Sequence, residues 1–393
     1  MLSAYTPVVN VCPLILDPLA ALWIILIDEV GEMRFKTAVC ALVLWVTIVP
    51  LAPVAHAGDD ATSANSPQVV KVEGDVKFVH DPSIAKDGDT WYLFGTANGP
   101  NRNGELPIRC SEDLHHWRTC GSVFEKIPDW IIQESPKTKE LWAPDISYFD
   151  GEYHLYYAFS VFGKNTSGIA LMTNKTLNPK SSDYHWVDKG LVVHSRLEDD
   201  FNCIDPNLVI DEKGQTWLAF GSFWSGIKMR QIDRKTGLLS TTDTKLYSLA
   251  SRKRPDNPPP NPPGLPGDWQ AVEAPFIVHH GDSFYLFVSW DLCCRGTKST
   301  YKTMIGRSQS VTGPYVDKNG TAMMDGGGTP LLLGNSRWFG PGGESILQQE
   351  DGDIIVFHAY DGKTGAAYLQ ISTIAWVNGW PKVELEDGNS ANK

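Results

Sequence analysis

The chain has 393 residues, 42% of them hydrophobic and 20% charged, with a formal net charge of −12. One propeller, barrel or sandwich can reach that length, so size does not impose two domains. The acidic balance argues against nucleic acid or an anionic membrane as partner and leaves a neutral substrate.

Residues 1–32 fit no export signal, because Asp17, Asp28, Glu29 and Glu32 stand where a basic segment belongs. They read as translation from an upstream start. Met33 opens a better candidate. Arg34 and Lys36 precede an apolar run from Ala38 to Leu51, and Ala55-His56-Ala57 offers small residues for cleavage. This is the layout of a secretory signal peptide, residues 33–57. Pro50 and Pro53 interrupt the run short of the ~20 apolar residues a membrane span needs. The mature chain, 58–393, is expected to be secreted, extracellular or periplasmic, free of the membrane and monomeric.

Five segments of the mature chain align. They begin HDPSIA at His80, WAPDIS at Trp142, IDPNLV at Ile204, EAPFIV at Glu273 and GESILQ at Gly343. Each reads as a strand, a Gly-containing turn and a second strand rich in aromatic and aliphatic residues. The acids Asp81, Asp145, Asp205, Glu273 and Glu344 are 64, 60, 68 and 71 residues apart, enough for a four-stranded sheet with its loops. No long amphipathic helical pattern intervenes. A repeat of that size built of strands is a propeller blade, so the predicted fold is all-β, a five-bladed β-propeller. Residues 255–268 hold seven prolines and read as a stiff extended connector leading to Glu273.

The first strand of each blade should line the central channel, so the residues that open those strands converge on one mouth. Four repeats share a proline. Before it stand Asp81, Ala143, Asp205 and Ala274; two before it, His80, Trp142, Ile204 and Glu273; after it, Ser83, Asp145, Asn207 and Phe276. The scaffold repeats while the mouth varies, the pattern of a function placed on a repeated frame. A lone Asp-Pro is more often a turn cap. Three acids, Asp81, Asp205 and Glu273, at equivalent edges of three blades would share one pit. Crowding there raises at least one pKa, leaving one group protonated while another is ionised. Glycoside hydrolysis uses that division between a general acid and a base or nucleophile. Asp145 and Glu344 are weaker candidates, and Asp145, after its proline, suits a structural hydrogen-bonding role.

Of the five mature cysteines, Cys110 and Cys120 bracket a short loop and could bridge. A bond between the adjacent Cys293 and Cys294 would force a strained peptide. Cys203 reads as a buried small hydrophobe.

The ordered set VHDPS, LWAPDI, IDPN, GSFWSGIK, VEAPFI, SWDLCCRG and FHAYD resembles the family-43 glycoside hydrolases, most of all the arabinan endo-1,5-α-L-arabinanases. The likeness runs through essentially the whole mature chain. It implies hydrolysis of arabinan with inversion, Asp81 as general base, Glu273 as general acid, and Asp205 as the group that raises the pKa of that acid and holds it. It implies a metal, usually calcium, beside His358. It also implies substrate contacts from His80, Trp142, Gly163, Asn207, Trp224 and Ser225, and the Cys293-Cys294 pair follows the same pattern. The proline-rich segment departs from it. Exo-acting α-L-arabinofuranosidases and β-xylosidases would keep the same three acids and differ in how loops close the cleft. Retaining invertase-like propellers carry Asp-Pro-Asn-Gly where this chain has Asp81-Pro82-Ser83-Ile84. A lectin-like propeller would explain the repeats and the aromatics but not the acids.

Overall fold

A computed structural model of the chain describes residues 66–97, 99, 104–252 and 270–386. The expected upstream segment, signal peptide and proline-rich connector lie outside these residues.

Five sheets succeed one another along the chain, antiparallel except where the short strand Glu73–Gly74 joins the first in parallel beside His116–Phe124. The first strands of the blades are Val79–Asp87, Leu141–Phe149, Asn207–Ile210, Val272–His280 and Trp338–Leu347. Each touches the first strand of the next blade, and the fifth touches the first, so they form a closed inner ring. The second strands, such as Glu152–Phe159 and Ile354–Asp361, are buried along almost their full length. Their sequences, EYHLYYAF and IIVFHAYD, are apolar at nearly every position because both faces of a blade are covered.

The core is divided as the repeat requires, with one apolar cluster between each pair of neighbouring blades. Phe94, Leu141 and Tyr157 fill the space between blades one and two. Tyr156, Leu208 and Phe220 serve blades two and three, and Trp217, Met229 and Leu286 serve three and four. Phe287, Ile305 and Phe357 join four to five, and Leu93, Val356 and Leu369 join five to one.

The ring closes by a device the repeats did not disclose. Blade five takes three strands from the end of the chain and its fourth from the start, Val69–Val70, antiparallel to Ala367–Thr373 with Val69 opposite Ser372. Gln68 adds a side-chain bond, its N–H donating to Thr373 Oγ1 at 2.8 Å. Cys110–Cys120 and Cys293–Cys294 are both disulfide-bonded, and Cys203 is free and buried.

Candidate active site

One backbone feature places the acids. The residue before the shared proline is left-handed in every blade that has it: φ is 46° at Asp81, 44° at Ala143, 57° at Asp205 and 52° at Ala274. Gly343 holds the same position in blade five, at φ 61°. Strand pairing skips there, between His80 and Ser83, Trp142 and Asp145, and Glu273 and Phe276. A left-handed non-glycine residue costs about 1–3 kcal/mol. Here the kink turns the head of each inner strand toward the axis, the point where the carboxylates project. In blade five the alignment shifts: Glu344 follows Gly343 and so occupies the proline position, not that of Asp81 or Glu273.

Above these kinks lies a cleft of about 930 Å3 bordered by Asp81, Asp205 and Glu273 together. Of the expected substrate contacts, His80, Trp142, Gly163 and Trp224 border it as well. Asn207 and Ser225 do not. Asn207 is buried between blades, donating Nδ2 to Asp145 Oδ1 at 3.3 Å and accepting the Ile277 N–H at 2.8 Å. Phe223 and Trp224 both have positive φ, and the turn they make directs Ser222 to the cleft while Ser225 Oγ is buried without a partner. Asp145 is buried too, accepting the Leu208 N–H at 2.7 Å.

The three acids differ sharply in ionisation. Burial opposes the charge on Asp81, but the His80 and His358 imidazoles and hydrogen bonds from His80 and Thr96 hold it well below the usual carboxylate range. Thr96 Oγ1 lies 2.7 Å and His80 Nδ1 3.0 Å from Asp81 Oδ2, leaving Oδ1 free of both. Asp205 is pushed well up by burial and by the charges of Glu273 and Asp81, although its Oδ2 accepts the Ala274 N–H at 3.1 Å. Glu273 is also raised, chiefly by burial and further by Asp81, against the hydroxyls of Ser222 and Tyr301. One cleft therefore holds a carboxyl whose pKa is driven down beside two whose pKa values are driven up, the condition for paired acid and base work.

His358 lies behind this floor. It is fully buried, does not border the open cleft, and stacks on His80 with ring centroids 3.8 Å apart. Burial holds its pKa well below the ordinary value; its Nδ1 accepts the Asp81 N–H at 3.3 Å and its Nε2 lies 3.4 Å from Tyr360 Oη. Ligand atoms of His80, Asp81 and His358 lie within 4.8 Å of one another. An imidazole and a carboxylate this close are donor types that a divalent cation takes. Calcium takes six to eight oxygens, and this set brings one carboxylate, so water would complete its shell.

Sequence reasoning missed several residues here. Thr96, Ser222, Tyr301 and Tyr360 border the cleft from second strands and loops; Ser222 and Tyr360 lie within GSFWSGIK and FHAYD, but nothing in those motifs singled them out. Phe162 at the rim is 73% exposed, unusual for so large an apolar ring. Its neighbour Gly163 was the residue singled out.

Residues 76–381 match the family model of the Glycosyl hydrolases family 43. The chain is 42% identical over 322 residues to the extracellular exo-α-(1→5)-L-arabinofuranosidase ArbA of Cellvibrio japonicus, covering 79% of this chain and 88% of that one. It is 41% identical over 307 residues to the extracellular endo-α-(1→5)-L-arabinanase 1 of Bacillus subtilis, covering 78% and 87%. A solved GH43 endo-arabinanase from Bacillus licheniformis superposes with a TM-score of 0.70 at 44% identity, covering 80% of this chain and 99% of that one.

Proposed function

The chain belongs to the glycosyl hydrolases of family 43, and on that footing we propose that it is an arabinanase cutting internal α-1,5-L-arabinofuranosidic bonds of arabinan. The observation that carries this reading is the convergence of three acids on one cleft, where burial and neighbours push Asp81 down and Glu273 and Asp205 up. Endo action follows the similarity to the Bacillus enzymes.

In the reaction, Asp81 takes a proton from water through Oδ1, while His80 and Thr96 occupy Oδ2. That water attacks the anomeric carbon. Glu273 gives its proton to the departing glycosidic oxygen, so bond making and breaking occur on opposite faces and the configuration inverts. Asp205 and Glu273 each oppose the other's ionisation, so the pair retains a proton, and that proton is available to the acid. Trp142 and Trp224 offer ring faces to the furanose units.

His358, with water, would hold a calcium ion, which would supply positive charge next to Asp81. Chelation followed by calorimetric titration tests it: wild type should bind calcium and gain thermal stability, and His358→Ala should do neither. The protein acts outside the cytoplasm, as the signal-like segment at 33–57 and the extracellular relatives suggest. Among the described residues no helix is long and apolar enough to cross a membrane.

Time-resolved product sizes on linear 1,5-arabinan test the main reading. Mixed oligosaccharides should appear first. Arabinose alone from the outset would establish exo action, the reading the Cellvibrio relative favours. Proton NMR of the first product should show the inverted anomer.

A further inference from the structure

The base is held by a chain of contacts that ends at the paired cysteines. A general base presents a carboxylate that accepts, so His80 Nδ1 carries the hydrogen in its 3.0 Å contact with Asp81. The other ring nitrogen, Nε2, meets Tyr360 Oη at 2.7 Å, and both groups are buried. Tyr360 Oη is fixed in turn by the Cys294 N–H, which donates to it at 2.8 Å. Cys294 is left-handed at φ 65° and bonded through sulfur to its neighbour, which limits how the 293–294 peptide can turn. Stacking on His358 covers one face of the His80 ring. His80 is thus fixed at both nitrogens and on one face, whatever its charge.

We propose that Tyr360 is a positioning residue: anchored by the Cys294 N–H, it orients His80 and through it presents Oδ1 of Asp81 to the attacking water. This rests on the reading of Asp81 as general base. Tyr360 itself needs no contact with the reacting atoms. Its hydroxyl acts at one remove, by preventing the imidazole from rotating away from the carboxylate.

Tyr360→Phe removes only the hydroxyl. A reacting group misplaced by a fraction of an ångström loses rate rather than binding, so kcat should fall about 10-fold with KM within about twofold of wild type. His80→Asn keeps an amide N–H that can reach Asp81 but cannot reach Tyr360. In that background Tyr360→Phe should have no further effect, because the two changes break the same link. Independent effects that multiply would overturn the proposal. So would a rise in KM at constant kcat, which would mean that Tyr360 binds the sugar directly.

A second measurement needs no substrate. In protein carrying 15N-histidine, the His80 Nδ1–H should be protected from exchange, and Tyr360→Phe should speed that exchange about 10-fold as the ring loosens. Equal protection in both proteins refutes the positioning role. If wild type cleaves no arabinan at all, the reading of the reaction falls, while the exchange rates still decide whether Tyr360 holds the ring.

Discussion

Ser222 Oγ lies 2.6 Å from Oε2 of Glu273 and donates to it, so the hydroxyl favours the charged form of a carboxyl that burial pushes the other way. Removing that donor leaves burial and the Asp81 charge in command. Ser222→Ala should therefore raise the pKa of Glu273 further and carry the alkaline limb of kcat/KM to higher pH. A pH–rate profile checks it. A downward shift of that limb would show that Glu273 is not the group that must stay protonated.

Glu273→Gln keeps the size of the side chain and removes the proton it would deliver. Turnover of arabinan should drop by about 10²–10⁴ while oligosaccharide binding persists, since general acid catalysis contributes on that scale. An aryl arabinofuranoside with a good leaving group should suffer far less, because its departing oxygen needs no protonation. Equal losses on both substrates would remove Glu273 from the acid role.

Glu344 makes a stability prediction with a definite sign. Its Oε2 accepts from Ser289 and Thr303, both at 3.0 Å, while Oε1 is buried without a partner and burial pushes the group up to about 7. A carboxyl raised in the folded state favours folding when protonated. Its contribution is fully present below the unfolded value near 4.5 and is lost as pH rises through about 7. Wild-type Tm should decline across that window, and Glu344→Gln should flatten the decline. Asp145, also pushed up to about 7, and the raised Asp205 and Glu273 should supply the remaining slope.

Gly343 has no room to spare. A Cβ there would stand 2.9 Å from Asp81 Oδ1, 2.9 Å from His358 Cε1 and 3.0 Å from His358 Nδ1, on a backbone at φ 61°. Gly343→Ala should lower kcat by at least about 10-fold by crowding the free oxygen of the base, and cost about 1–2 kcal/mol from the left-handed backbone alone. Activity and thermal unfolding, measured together, separate the two effects.

The sequence carried much of this arrangement because the blades repeat. Aligning on the shared proline was enough to bring Asp81, Asp205 and Glu273 to one mouth, since equivalent positions in a ring face the same axis. The resemblance placed Asn207 at the substrate, whereas the alignment sets it after the proline, as it does Asp145. A residue just past the left-handed kink turns toward the neighbouring blade, where Asn207 bonds Asp145 and Ile277. Ser225 failed similarly, because two successive positive-φ residues reverse which serine faces the cleft. Thr96, Tyr301 and Tyr360 were illegible for another reason. They act from second strands and loops, and only the folded ring brings Thr96 and Tyr360, more than 260 residues apart, to either side of His80-Asp81. The closing strand was invisible because two valines, Val69 and Val70, make no pattern.

That pair of valines has a bearing on how the protein comes into being. Gln68 bonds a residue 305 positions later, so the ring cannot be completed until nearly the last strand has been synthesised. Four blades can assemble as the chain emerges, but the fifth waits with an open edge for a segment made at the outset. Contacts of such separation slow folding.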